Sequence, residues 1–244
     1  MIAASVDLDQ LQNLTATAPA LEDVAPTPAP PTPDIRIGIA QDRAFGFYYP
    51  DDLEAFAQAG AKLVPFDALH DPSLPDIDGL FIGGGFPETQ MSALSANQPL
   101  RHAIKTAIEN GLPTYAECGG LMYLCRSLNW QDAQAEMVGV VPADALMCAR
   151  PQGRGYTRHR PTASHPWGEA AQEIRAHEFH YARLENLPEE LIYSRDITRG
   201  AGITGAKDGL VIYNLLAGFC HLRNTPSNPW VARFVEFTRQ HKHK

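Results

Sequence analysis

The sequence predicts an α/β fold with a doubly wound, mostly parallel sheet. Short apolar runs, typical of buried strands, alternate with amphipathic helix patterns through the first half of the chain, and this is the order of elements in parallel sheets joined by helices. Glycine-rich turns follow two of these runs, at residues 83–85 and 119–120. Because ligands bind beyond the carboxyl ends of the strands in such sheets, we expect a functional site where these two turns lie.

A sharp change of composition marks where the domain begins. Residues 17–33 hold six prolines among small residues, a composition that favours extended polyproline segments and packs no core, so we predict a Pro/Ala-rich linker there. The apolar run at residues 35–41 is typical of a buried parallel strand. We therefore expect the folded domain to span residues 34–244.

Helix caps and periodicity place the remaining elements. Pro50 and Gly60 suit the two ends of one helix, and Pro99 and Gly111 bound a second, amphipathic one. Strands are predicted at residues 61–66, 79–85 and 112–117, followed by a helix pattern over "GGLMYLCRSL" (119–128). Beyond Trp130 the alternation is less regular, with strands predicted at 154–162, 173–184, 208–216 and 217–222 and a last helix at 228–240.

Composition excludes several classes of protein. The formal net charge of -8 argues against a duplex nucleic-acid binder, which normally presents a basic face to the phosphates. No run approaches the length of a transmembrane helix, and the first residues lack the pattern of a signal peptide, so we predict a cytoplasmic protein without a membrane partner. The cysteines show neither a C-x-x-C pair nor a zinc pattern, which favours reduced thiols.

Cys118 lies in the stretch "YAECGGL", at a turn between a predicted strand and a predicted helix. Such a turn exposes a nucleophile at the carboxyl edge of the sheet, and the helix N-terminus favours the thiolate. Gly119 and Gly120 let the backbone turn sharply, and the Gly119 amide is suited to stabilising an oxyanion. The alternative is a buried structural cysteine, since free cysteine is among the most buried residue types.

A thiol nucleophile needs a base, which need not be near in sequence. Histidines in predicted strands are the candidates: His159, His177, His180 and His221. His221 ends an apolar strand just before a loop, where a second catalytic residue of such a sheet is expected. For each histidine, a surface or core imidazole is the alternative.

The segment "HEFHY" (177–181) raises the alternative of a metal site, because it holds two histidines and a carboxylate. Alternation along a strand places His177 on one face and Glu178 and His180 on the other, so the three side chains do not converge on one ion. We therefore predict no metal.

The stretch "FIGGGFPE" (81–88) is the other glycine-rich turn. Successive glycines can direct peptide N–H groups toward an anion or a developing oxyanion. No Lys-Ser/Thr follows, and the pattern G-x-x-x-x-G-K-[ST] is absent from the sequence, so this turn is not a nucleotide phosphate loop.

Five segments together resemble the glutamine amidotransferase domain of cobyrinic acid a,c-diamide synthases. In chain order they read "QDRAFGFYYPDDLEAFAQAGAKLVPFDAL", "LPDIDGLFIGGGFPE", "YAECGGLMYL", "AHEFHYARL" and "HLRNTPSNPW". The resemblance covers roughly residues 34–240 and implies a class I glutamine amidotransferase with a flavodoxin-like fold. It implies that Cys118 attacks the glutamine amide and that His221 acts as general base and acid while a glutamyl thioester forms and ammonia leaves.

The same resemblance implies that Gly84, Gly85 and Gly119 bind the substrate and frame the oxyanion hole. Class I glutaminases commonly carry a glutamate two residues after the catalytic histidine, to orient its ring. Here that position is Arg223, as in the cobyrinic branch, so the orienting group is not identified. Glu178 is a candidate for it, with His180 as a supporting residue.

Complete synthases of this family carry an upstream domain that binds ATP. Residues 1–16, with "SVDLDQLQNL", resemble the end of that domain. The resemblance implies that the chain itself binds no cofactor and that ATP and Mg belong to a missing synthetase domain or to a partner subunit. We therefore expect the C-terminal piece of a split or truncated synthase, or a subunit that works with a separate ATP-dependent partner.

The acceptor implied by the resemblance is a polycarboxylate tetrapyrrole. Cobyrinic or hydrogenobyrinic acid is the usual one, while "GRGYTRHR" is more similar to the branch that amidates sirohaem. A basic cluster could meet the acceptor carboxylates or form a solvated strand face, and it comprises Arg150, Arg154, Arg158, His159 and Arg160. Two rival functions stay open: a non-catalytic or orphaned partner-binding domain of the same fold, and another cysteine amidase of the superfamily.

Overall fold

The computed structural model describes residues 5–20, 28–168 and 173–242. The helices are α1 (Leu8–Ala16), α2 (Pro50–Gln58), α3 (Met91–Ala96), α4 (Gln98–Glu109), α5 (Gly119–Leu124) and α6 (Trp230–His241). The strands of the first half are β1 (Ile35–Ala40), β2 (Phe45–Phe47), β3 (Ala61–Phe66), β4 (Gly79–Ile82), β5 (Gly84–Gly85), β6 (Thr114–Glu117), β7 (Cys125–Trp130) and β8 (Ala133–Glu136). Those of the second half are β9 (Val141–Met147), β10 (Gly153–Pro161), β11 (Ile174–His180), β12 (Ala182–Glu185), β13 (Ile192–Arg199), β14 (Lys207–Ile212) and β15 (Leu215–Gly218).

The central sheet of the described residues has nine strands in the order β11-β10-β13-β14-β15-β6-β4-β1-β3. The strands from β3 to β15 pair in parallel. From β14 to β11 the sheet continues with antiparallel pairs. The predicted α/β fold is confirmed, and the antiparallel extension arises from the part of the chain where the sequence alternation is less regular.

Helices cover both faces of the parallel strands, as a doubly wound sheet requires. On one face Leu80 and Ile82 of β4 pack with residues of α3, α4 and α5. On the other face Phe81 packs with Phe56 of α2 and Trp230 of α6. Because side chains alternate along a strand, one short apolar run serves both cores.

The helix predicted over "GGLMYLCRSL" is wrong in its second half. Helix α5 ends at Leu124, and β7 begins at Cys125 and pairs in parallel with β9 in a smaller sheet, ordered β12-β9-β7-β8. The reason is tertiary: the carbonyls of Tyr123, Leu124 and Cys125 accept hydrogen bonds from the amides of residues 138–140 rather than from a continuing helix. Long-range pairing here outweighs a local helix pattern.

The start of the domain is fixed to the last helix. Arg239 of α6 forms two hydrogen bonds with the Asp34 carboxylate, at 2.7 and 2.8 Å, immediately before β1. Upstream, α1 is capped by Asp7, which accepts from the Gln10 amide, and none of its residues is buried. Of the linker predicted at 17–33, residues 21–27 lie outside the described residues, so that prediction and the one for residues 1–16 remain predictions. Within the described ranges no helix is long and apolar enough to cross a membrane.

Candidate active site

Cys118 occupies a strained turn between β6 and α5. Its φ of 48° and ψ of -100° lie in a region that L-residues rarely adopt, which costs roughly 1–3 kcal/mol. Hydrogen bonds hold the turn, because the Cys118 amide donates to Gly218 O (2.8 Å) and the Gly120 amide donates to Gly83 O (3.1 Å). The side chain is 7% exposed. The backbone therefore fixes the thiol at the carboxyl edge of the parallel strands.

The two predicted glycine turns meet beside this thiol. A Cβ on Gly120 would lie 2.1 Å from Ile82 O, and one on Gly119 would lie 3.0 Å from Gly85 N. A side chain at either position would separate the turns. Among the described residues no acceptor pairs with the Gly119 amide, which starts α5 and has no partner within the helix. That donor is therefore available to a group bound beside the thiol.

His221 follows β15 and shares a small cavity with Cys118. The cavity measures about 80 Å³ and is lined by Phe47, Gly85, Phe86, Cys118, His177, Phe179 and His221. The His221 ring stacks on the His177 ring, with centroids 4.8 Å apart and planes 16° apart. A Cβ on Gly84 would lie 2.6 Å from His221 Cε1, so Gly84 leaves the space that this ring fills.

Glu117, which the sequence analysis missed, lies next to Cys118 and His221. Its Oε2 is 3.4 Å from His221 Nδ1, while its Oε1 accepts from the Leu222 amide (2.8 Å) and the Tyr115 hydroxyl (2.5 Å). The residue is only 4% exposed. The available sequence signal was a carboxylate at the end of a short, otherwise buried strand, directly before the cysteine.

The surroundings of His221 favour its charged form. Burial alone would lower the pKa of the imidazole, but interactions with the Cys118 thiol and the Glu117 carboxylate raise it to about 10. A histidine held as imidazolium next to a cysteine stabilises the thiolate. The arrangement therefore supplies a nucleophile and a proton donor at neutral pH.

A buried ion pair stands behind Glu117. The Arg195 guanidinium, with no exposed surface, donates to Tyr115 Oη (3.3 Å) and to Asp208 Oδ2 (3.2 Å). Asp208 in turn accepts from the Phe219 and Cys220 amides at the end of β15. This network connects the strand that carries Glu117 to the chain that leads into His221, so both are fixed in one frame.

The structure does not bring Glu178 or His180 to Cys118 and His221. The Glu178 carboxylate accepts from the Ala201 (2.7 Å) and Gly202 (2.9 Å) amides and lies 3.6 Å from His180 Nε2. His180 Nδ1 donates to Ala182 O (2.7 Å), and its ring stacks on Phe219. Both residues are buried and hold a loop, whereas Glu117 takes the place beside His221.

The other sequence candidates also have defined places. Arg223, at the position where class I glutaminases commonly have a glutamate, pairs with Asp51 (3.0 Å) on the surface. His159 is fully buried, and burial first, then the charge of Arg195, lowers its pKa to about 2, so it stays neutral. In the ranges that the structure describes, no three His, Cys, Asp or Glu side chains form a group that could hold a metal ion.

Solved structures share this fold. PurLQS from Thermotoga maritima matches with a TM-score of 0.61 and 14% identity, over 86% of this chain and 98% of that one. A glutamine amidotransferase from the same organism matches with a TM-score of 0.54 and 12% identity, over 84% of each chain. Together with the cysteine turn and the facing histidine, these matches define a class I glutamine amidotransferase fold.

Sequence comparison narrows the class to one family. The model of the CobB/CobQ-like glutamine amidotransferase domain matches residues 36–229, and the chain belongs to that family. It is 41% identical to cobyrinate a,c-diamide synthase of Magnetococcus marinus, over 98% of this chain and 53% of the relative. The synthase of Archaeoglobus fulgidus is 36% identical over 97% of this chain and 52% of the relative. The chain thus spans about half the length of these relatives, and it is a glutamine amidotransferase component.

Proposed function

We propose that this chain is the glutamine-hydrolysing half of an ATP-dependent amide ligase that converts tetrapyrrole carboxylates to amides. The observation that carries the glutaminase role is the strained Cys118 in one cavity with His221, whose ring is charged by its neighbours. The acceptor class comes from the names of the relatives, which are cobyrinate a,c-diamide synthases.

In the proposed reaction, Cys118 acts as a thiolate and His221 as an imidazolium. The thiolate Sγ attacks the side-chain carbonyl carbon of glutamine, and the electron pair of the C=O bond moves to oxygen. As this tetrahedral intermediate collapses, the C–N bond breaks, and His221 gives its proton to the departing nitrogen, which leaves as ammonia. The neutral imidazole then takes a proton from water as the water oxygen attacks the thioester carbon. The C–S bond breaks, glutamate is released, and Cys118 returns to the thiolate beside the protonated His221.

The developing oxyanion is assigned to backbone amides of the two glycine turns. Gly119 N is the donor best supported, because it starts α5 and lies beside the thiol. Gly85 borders the same cavity, and a Cβ on it would lie 1.9 Å from Ala44 O, so only glycine lets this part of the cavity wall pack so closely against the chain before β2. Gly84 acts differently, since it makes room for the His221 ring.

We assign ATP, Mg and carboxylate activation to a synthetase domain or partner subunit. Two observations support this: the sequence has no nucleotide phosphate loop, and the relatives are about twice as long as the part they share with this chain. Cobyrinic acid, hydrogenobyrinic acid and sirohaem remain the proposed acceptors. A cytoplasmic location accords with a reaction that needs a reduced thiol.

The test is covalent trapping of the nucleophile. A diazoketone analogue of glutamine should alkylate Cys118, and mass spectrometry of peptides should place the adduct on that residue. Cys118→Ala should show no adduct and no glutamate release above background, because the thiolate carries the chemistry. Cys148→Ala is the matched control, since Cys148 is a free, partly exposed cysteine outside the cavity. Glutamine hydrolysis retained in Cys118→Ala would contradict the mechanism.

A further inference from the structure

A larger cavity adjoins the catalytic one and has a different chemistry. It measures about 550 Å³, and His177 lines both cavities. Its other walls include arginines, at positions 158, 175, 199 and 223, and the rings of Tyr49 and Tyr156. None of the described residues that line it is acidic. The cavity is therefore cationic, in a chain with a formal net charge of -8.

The arrangement of the strands places like charges directly opposite one another. Arg158 of β10 is the register partner of Arg175 on β11 and of Arg199 on β13. Like charges directly opposite across strands destabilise a sheet. Such a row lowers the stability of the fold, and packing gives no reason for it, since all three side chains are exposed.

Only part of this charge is compensated within the described residues. Arg158 pairs with Glu173 (3.5 Å), and Arg223 pairs with Asp51 (3.0 Å). Within the same residues, Arg175 and Arg199 have no carboxylate within 4.0 Å and donate no side-chain hydrogen bond. Two guanidinium groups, each with a planar fork of donors that matches a carboxylate or phosphate, thus face the cavity without a partner from this part of the chain.

Size and shape favour a small organic ligand. Neighbouring strands lie about 4.8 Å apart, so the row of arginines spans roughly 10 Å and can meet anionic groups that are several ångströms apart. The volume falls in the range of small-molecule sites, and Tyr49 and Tyr156 offer ring surface to an organic body. Glutamine does not fit this chemistry, since its α-ammonium group would meet no carboxylate in the described lining.

We propose that this arginine cavity binds a small organic molecule that carries at least two carboxylate or phosphate groups. The site goes beyond the proposed glutaminase reaction, because its arginines do not line the thiol cavity and none of the steps assigned to Cys118 and His221 uses them. Its place matters nonetheless. Tyr49 Oη lies 3.3 Å from His177 Nδ1, and the His177 ring stacks on the His221 ring. A ligand in the arginine cavity therefore contacts a residue that packs directly against His221.

Titration calorimetry with two probes tests the proposal and separates the two ligand chemistries. The probes are uroporphyrin, an organic polycarboxylate, and ATP without Mg, a polyphosphate; acetate is the monovalent control. We expect at least one polyanion to bind, with an affinity that falls as salt rises. Uroporphyrin alone would assign a carboxylate ligand, and ATP alone a phosphorylated one. Failure of both to bind at millimolar concentration would overturn the proposal.

Variants show whether binding occurs in this cavity. Arg175→Ala and Arg199→Ala should each weaken binding about tenfold or more, because a charge-assisted hydrogen bond is lost. Arg175→Lys should retain part of the affinity. The control is Arg160→Ala, since Arg160 lies on β10 but outside the cavity lining. Equal affinity in all variants, or an equal loss in Arg160→Ala, would overturn the assignment, as would tighter binding of a polyglutamate peptide than of either probe.

Melting temperatures and labelling of Cys118 separate a loss of binding from a loss of folding or of the glutaminase site. Melting temperatures of Arg175→Ala and Arg199→Ala should be unchanged or higher than those of the wild type, since each substitution relieves repulsion in the row. Trapping of Cys118 by the diazoketone analogue, measured separately, reports on the glutaminase site alone. A protein that is labelled at Cys118 but binds neither probe refutes the arginine cavity and leaves the proposed glutaminase intact.

Discussion

Two stacked imidazoles separate the two cavities, and they differ in charge. His221, on the side of the thiol, lies 3.4 Å from the Glu117 carboxylate and has its pKa raised to about 10. His177, one ring away, has its pKa lowered by burial and then by the charge of His221, and its closest polar partner is the Tyr49 hydroxyl. Two histidines thus differ in protonation: His221 is a charged acid in the thiol cavity, and His177 is a neutral residue in the wall of the arginine cavity.

The difference shows that the protonation state of each histidine is set by the groups next to its ring. The His221 ring is buried and the His177 ring is half-buried, and burial disfavours the charged form of each. Only His221 has a buried carboxylate and a thiol at its edge. Because the two ring centroids are 4.8 Å apart, the charge on His221 opposes a second charge on His177 and helps to keep His177 neutral.

Removal of His221 should have the largest effect on glutamine hydrolysis. His221→Asn should lower glutamine hydrolysis by roughly 10⁴-fold, since general acid–base transfer contributes up to that factor. Steady-state measurement of glutamate release, with circular dichroism to confirm folding, checks the effect. The matched variant is His177→Asn, and comparable losses in the two variants would mean that the roles of the rings have been assigned wrongly.

Removing the charge of Glu117 should have the next largest effect. Glu117→Gln keeps the shape of the side chain but leaves His221 without its carboxylate, so we expect a loss of roughly 10³-fold from misorientation and weaker stabilisation of the imidazolium. The pKa of His221 should fall, because one of the groups that raise it is gone.

The sign of the pH effect follows from this shift. In the wild type, the raised pKa keeps His221 protonated at neutral pH, and the imidazolium that supports labelling of Cys118 is lost as pH rises through about 10. In Glu117→Gln the loss should begin at lower pH. The pH profile of diazoketone labelling measures it, and an unchanged alkaline limb would exclude Glu117 as the residue that positions and charges His221.

A methyl group at position 84 should displace the His221 ring without changing any charge. A Cβ there would lie 2.6 Å from His221 Cε1, so the ring must withdraw by roughly 1 Å to restore ordinary contact. Gly84→Ala should therefore cost about 10²-fold in glutamine hydrolysis, with little change in the binding of polyanions to the arginine cavity. Gly46→Ala is the control, since its φ is not positive and a Cβ there would meet only Asp42 O, at an ordinary 3.8 Å. Equal activity of both variants would show that the ring position is not critical.

Sequence alone anticipated the features that depend on local order along the chain. The glycine turns, the strand before Cys118 and the position of His221 at a strand end follow from short patterns, and the structure brings Cys118 and His221 into one cavity. Glu117 was missed because its role requires β6 to lie beside β15, a pairing between residues about 100 positions apart. Glu178 was favoured on composition, yet strand alternation directs it to the buried face opposite His177.

The row of arginines could not be predicted from the sequence either, because it also depends on long-range strand pairing. The sequence indicated a basic cluster along one strand, Arg150 to Arg160, whereas the cavity takes Arg158 from that cluster and joins it to arginines from two neighbouring strands. Composition shows that arginines are present, but only the register of β13, β10 and β11 places them side by side. Charged sites built across strands are therefore harder to predict than sites built on one turn.

The smallest expected effect comes from His177 itself. Among the described residues no carboxylate forms an ion pair with its ring, and its pKa is lowered, so it has no proton to give at neutral pH. His177→Asn should therefore lower glutamine hydrolysis only about threefold to tenfold, the contribution of one stacked ring pair. The loss should come with a rise in the pKa of His221, because burial opposes the charge on this imidazole and removal of the stacked ring lessens that burial. Histidine resonances followed by NMR against pH measure this shift, with Tyr49→Phe as the control that removes the hydroxyl and keeps the stack. A pKa of His221 that stays the same in His177→Asn would show that the two rings titrate independently and that the boundary between the cavities is steric rather than electrostatic.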